Sequence, residues 1–81
     1  MVDKHDLVHE LPEYRDQIHE LKMNDHHFQR LFTEYHDLDH EIHRIEQGVE
    51  NTSDEYLETK KKERLALKDA MYHMLQKAAA S

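Results

Sequence analysis

The chain has 81 residues and a net charge of −7, with 36% charged residues, no cysteine, one glycine and one proline. A chain of this length holds one domain with a small core, and without cysteine no disulfide can reinforce it. A β-rich fold would need more glycine for its tight turns, whereas strong helix formers are abundant, so the composition predicts an all-α protein.

At the N-terminus, Met1-Val2-Asp3-Lys4-His5-Asp6 lacks the apolar run behind a basic start that marks a signal peptide. No later stretch approaches the roughly 20 apolar residues of a membrane span. The expectation is a soluble cytoplasmic protein with no membrane partner. Leu7, Leu11, Tyr14, Ile18 and Leu21 then recur at helical spacing, and Pro12 suits the first turn of a helix over about 12–22. The apolar register slips between Leu21 and Phe28, which predicts a bend near 23–25, a continuous helix being the alternative. Asn24 is the expected N-cap of the next helix, with Asp25 in its first turn.

Phe28, Leu31, Tyr35, Leu38, Ile42, Ile45 and Val49 alternate by three and four residues, a heptad seam that Phe32 widens. They predict a helix over about 25–47, about 34 Å long at 1.5 Å per residue. Gly48 suits the position just past its C-terminus, and residues 48–53 form a loop. Ser53 followed by Asp54 and Glu55 marks the start of a helix over about 54–78. Its seam is Leu57, Lys60, Arg64, Leu67, Met71, Met74 and Ala78, with Leu65 and Leu75 alongside. Two long amphipathic helices joined by a short loop fold back antiparallel. The whole chain, 1–81, thus reads as one helical domain: a short N-terminal helix followed by a long, coiled-coil-like helical hairpin.

Charge is divided between the two arms. Residues 1–55 carry 15 acids and 5 bases, or −10, and residues 56–81 carry 3 acids and 6 bases, or +3. Opposite arms attract when folded together, and an acidic chain is a poor general ligand for nucleic acid. Lys60, Lys61, Lys62, Arg64 and Lys68 form a basic cluster, but successive helical residues point about 100° apart, so it wraps the helix instead of making a flat patch. Among nine histidines, His36, His40 and His43 share one helix face, and His36 with His40 has the spacing for a divalent metal. No cysteine accompanies them, so a solvated face is the favoured reading and no metal or other cofactor is expected. Protonating all nine would move the net charge from −7 to +2, which predicts an effect on solubility between about pH 7 and 5.5, a change in helix association being the alternative. Catalysis has no footprint: there is no phosphate loop, no cysteine nucleophile and no His-Glu-x-x-His zinc motif, so no catalytic residue is assigned and a non-enzyme is expected.

The segments Leu11-Pro12-Glu13-Tyr14-Arg15-Asp16, Ile18, Leu21-Lys22, Phe28 and Leu31-Phe32 resemble the start of the YdcH-like family. So do Leu38-Asp39-His40-Glu41-Ile42, Lys61-Lys62 and Leu65-Ala66-Leu67-Lys68-Asp69. This is a group of short bacterial proteins classed as a domain of unknown function, and the likeness spans about residues 10–75. It implies a helical hairpin in the bacterial cytosol, with no catalytic or cofactor residues to carry over. Within the shared segments Arg15, Asp16, Asp39, His40, Lys68 and Asp69 are polar at patterned positions, where filling a core does not require polarity. They are expected to set helix register or to form an interaction surface. Two helices bury only one seam, so Tyr14, Ile18, Phe32, Tyr56, Leu65, Tyr72 and Leu75 are expected to need cover. The N-terminal helix is expected to supply some of it, and a second copy in a homodimer or four-helix assembly the rest. A structural or adaptor-like interaction protein is the reading that follows. A small regulator binding metal at His36/His40, or RNA at residues 60–68, is the alternative.

Overall fold

The computed structural model describes residues 7–80, so the reading of Met1–Asp6 lies outside the described residues. The described chain is helical and has no strand. It measures 44 × 26 × 19 Å along its principal axes. A single turn, α1 (Leu7–Glu10), comes first, then a 3-10 turn at Pro12–Tyr14 and the helix α2 (Arg15–Asn24). The long arms are α3 (His26–Glu46) and α4 (Asp54–Ala80).

Leu11, at φ −132° and ψ 65°, breaks the chain ahead of Pro12, because the proline ring crowds a preceding residue out of the α region. Pro12, which has no N–H to leave unpaired, opens the 3-10 turn that leads into α2. The expected helix over 12–22 is therefore a tight turn at 12–14 and an α-helix that continues to Asn24. Leu7 and Leu11 already stand at helical spacing, but that spacing does not show Leu7–Glu10 as a separate turn, because four residues carry too little periodicity to mark its ends.

The bend falls at one residue. Asp25 is extended, at φ −124° and ψ 111°, and its Oδ1 accepts the backbone N–H of Phe28 at 3.0 Å. Asp25, not Asn24, is the N-cap of α3. Asn24 ends α2 and donates from Nδ2 to the Glu20 carbonyl at 3.1 Å. Asn and Asp cap almost equally well, so a pair of them left the sequence ambiguous by one residue. Gln29 Nε2 reaches back across the bend to the Lys22 carbonyl at 2.6 Å, and the Lys22 ammonium lies 4.5 Å from the centre of the Phe32 ring.

The other end of α3 closes in a Schellman arrangement. Gly48 has φ +81°, its N–H bonds the Ile45 carbonyl at 3.1 Å, and Val49 N–H bonds the Arg44 carbonyl at 2.9 Å. Val49 is thereby carried off the seam and is 69% exposed, so the seam of α3 ends at Ile45. Ser53 caps α4 by accepting Tyr56 N–H at 3.1 Å.

The core lies at the end of the hairpin away from this loop. Leu7, Ile18, Phe28, Tyr35, Met71 and Leu75 are buried together there, so all four α-helices contribute. Leu38 and Ile42 continue the seam toward the loop. The N-terminal segment folds back over the hairpin: Tyr14 meets Tyr72 edge-on at 5.7 Å, and Glu10 pairs with Lys68 at 3.1 Å. This changes which residues need cover. Ile18 and Leu75 are fully buried within the chain, and Tyr14, Phe32 and Tyr72 are half-buried. Leu65 and Tyr56 remain exposed, together with Met23 and Val49.

Candidate functional site

Three cations of α4, Lys61, Arg64 and Lys68, follow i, i+3, i+7 spacing and so share one helix face. Each meets an acid on another element. Lys61 pairs with Glu46 at 3.2 Å, Arg64 with Asp39 at 2.6 Å, and Lys68 with Glu10 at 3.1 Å. Asp39 and Glu46 are seven residues apart on α3, which places both along the same flank of the seam. The antiparallel hairpin thus converts two stripes of opposite charge into a ladder of ion pairs, with Glu10 supplying the last rung from α1.

The ladder borders a half-open cleft of about 370 Å³ between α1, α3 and α4. The buried ring of Tyr35 contributes to it, and His43 and the 54%-exposed Leu65 also line it. The Asp39–Arg64 pair is the most enclosed rung, with Asp39 exposing only 13% of its side chain. Bonds of this kind, charged on both sides and partly shielded from water, are stronger than neutral ones. Near the loop the Tyr56 hydroxyl donates to the Glu41 carboxylate, and this bond, then burial, then the carboxylate's charge raise the phenol's pKa. Arg44 closes the loop on Glu50 at 2.7 Å.

Of the six patterned polar residues, Asp39 and Lys68 line this cleft, although their partners are Arg64 and Glu10, not each other. Arg15 and Asp16 border a separate shallow groove with Val8, Ile18, His19 and Lys22. His40 and Asp69 are exposed and line neither. Glu10 and Glu46 were missed as members of the ladder. The spacing of Asp39 and Glu46 could have revealed Glu46, whereas Glu10 is 58 residues from Lys68 and carries no local signal. The three aligned histidines are not equivalent. His36 packs its ring 4.4 Å from Phe32 and 5.7 Å from Tyr35, His43 lines the cleft, and His40 is exposed. Among the described residues no group of three or more His, Cys, Asp or Glu side chains is placed to hold a metal ion. No described helix is long and apolar enough to cross a membrane.

Residues 28–75, the two arms and their loop, match the family model described as "Protein of unknown function (DUF465)". The chain belongs to this family. It is also 42% identical over 65 residues to the "Uncharacterized protein YdcH" of Escherichia coli (strain K12), covering 80% of this chain and 88% of that one. The protein of the same description from Shigella flexneri matches with the same identity and coverage. No solved structure matches the chain at a level that indicates relatedness. The family assignment agrees with the resemblance drawn from the sequence, and it brings no activity, substrate or partner with it.

Proposed function

We propose that this chain is a structural or adaptor-like interaction module of the bacterial cytoplasm, acting through its helix faces on other proteins and on copies of itself, and that it is not an enzyme. One observation carries this reading: the cleft that holds the patterned Asp39 and Lys68 also presents the exposed Leu65. An exposed leucine beside ordered charged pairs has the character of a protein contact, apolar at its centre and polar at its rim. The balance of charge favours a protein over RNA. Lys61, Arg64 and Lys68 already hold carboxylates, so a phosphate backbone would have to displace Glu46, Asp39 or Glu10. The metal alternative is weakened by His36, whose ring is engaged with Phe32 and Tyr35.

The test is cross-linking in native bacterial lysate, recovery of the protein, and mass spectrometry of what accompanies it. A chain carrying Asp39→Ala/Lys68→Ala is compared with the parent. The proposal expects a specific protein partner that the double variant loses. Recovery of the same proteins by both chains, or of none, would refute the cleft as the contact face.

A further inference from the structure

The N-terminal segment covers the hairpin in a manner that a second molecule could reproduce. Residues 7–24 contribute Leu7 and Ile18 to the core, set Tyr14 against Tyr72 and place Glu10 on Lys68. None of these contacts depends on which copy supplies the segment. The contacts that do depend on the bend are few and local: the Asp25 cap on Phe28, the Gln29 bond to the Lys22 carbonyl, and Lys22 over Phe32. Asp25 is the single non-helical residue between α2 and α3. If Asp25 becomes helical, residues 15–46 run as one rod of about 48 Å at 1.5 Å per residue. The N-terminal apolar residues then leave their own hairpin, whose face at Phe28, Tyr35, Met71 and Leu75 is uncovered at the same moment.

We propose that this face is an interface for a second copy of the chain, which docks by exchanging residues 7–24 through a hinge at Asp25. The occupant is specified by what the face requires. It needs Leu7, Leu11, Tyr14, Ile18 and Leu21 at their helical spacing, with an acid at the place of Glu10 to meet Lys68, and a second copy carries all of them. Exchange of an identical element is a low-cost route to a symmetric dimer, because it reuses contacts already selected within the monomer. Replacing Asp25 by alanine removes the cap that holds the bend and installs the strongest helix former at the hinge, so it shifts the balance toward exchange. This deepens the self-association part of the reading above, and it involves a different face from the Leu65 cleft.

The chain has no cysteine, so engineered thiols report without background. One population carries Glu10→Cys and the other Glu10→Ala/Lys68→Cys, so the Glu10–Lys68 ion pair is absent in cis and in trans alike. They are mixed at high concentration, equilibrated, diluted and treated at once with a short bis-maleimide, and covalent dimers are read on a denaturing gel. Neither copy alone can bridge 10 to 68, so a 10–68 heterodimer above the level of chance encounter requires one copy's segment to lie on the other's hairpin. Glu10→Cys mixed with Lys62→Cys measures chance encounters. Exchange predicts a 10–68 heterodimer well above the 10–62 control. It also predicts a rise of at least about tenfold when both copies carry Asp25→Ala, from the lost cap and the added helix propensity. Asp25→Asn, which keeps the cap, should leave the yield at the parent level. Equal 10–68 and 10–62 yields in both parent and Asp25→Ala backgrounds would overturn the proposal. A dimer captured only between Leu65→Cys copies would also overturn it, while leaving the cleft reading intact.

Discussion

The guanidinium of Arg64 holds the carboxylate of Asp39 at 2.6 Å, tying α4 to α3 across 25 positions of sequence. It is the most shielded rung of the ladder, and its two ends are not equally covered: Asp39 exposes 13% of its side chain and Arg64 31%. Removing Asp39 leaves a partly buried cation without its partner, which costs more than removing both. We expect Asp39→Ala to lower stability by about 1–2 kcal/mol, and Asp39→Ala/Arg64→Ala by less than the sum of the two single changes. Urea unfolding of the four chains of this cycle measures the coupling. Strict additivity would show that the pair does not hold register.

The core should respond far more strongly than the cleft rim. Phe28 is fully buried at the junction of the N-terminal segment and both arms, whereas Leu65 is 54% exposed. Phe28→Ala should cost about 3–5 kcal/mol, a large share of the 5–15 kcal/mol typical of a whole domain. Leu65→Ala should stay within about 0.5 kcal/mol. Thermal melts followed by circular dichroism at 222 nm distinguish the two.

Gly48 tests the loop. Its φ of +81° is unfavourable for any residue with a Cβ, although nothing lies within 4 Å of where that atom would stand. The penalty for Gly48→Ala is therefore conformational, not steric, at about 1 kcal/mol, and Gly48→Asn should cost less because Asn tolerates the left-handed region. Denaturant midpoints of the two variants provide the comparison.

Tyr56 predicts an alkaline signature. Its bond to Glu41, then burial, then the charge of Glu41 raise its folded pKa. A group whose folded pKa is raised contributes stability below its unfolded pKa, and loses it as pH rises through the folded value. Absorbance at 295 nm should thus show Tyr56 ionising later than an unperturbed tyrosine. Glu41→Gln removes the carboxylate and should move the transition back toward the ordinary value, while Tyr56→Phe abolishes it.

The hairpin was legible because its signals are periodic and redundant. Phe28, Tyr35, Leu38 and Ile42 form the seam that their spacing predicts, and Gly48 stands where the chain needs a positive φ. Single-residue features were less secure. Asp25 caps α3 in place of its neighbour Asn24, and Val49 continues the heptad arithmetic yet lies beyond the glycine that ends the helix. The N-terminal fold-back was least legible. Ile18 and Leu75 looked like surface in need of a partner because a helical pattern does not say which other helix a face will meet. The same gap hid Glu10, whose role depends on tertiary placement against Lys68 and not on local spacing.

As a protein contact face, the cleft at Asp39, Lys68 and Leu65 should capture its partner inside the cell. A photoreactive amino acid placed at Leu65 in living bacteria tests it most directly, with the same group at the exposed Glu58 as control. The account predicts a discrete protein adduct from position 65, absent from position 58 and lost when Asp39→Ala/Lys68→Ala is added. Identical adducts from both positions, or none from position 65, would contradict it.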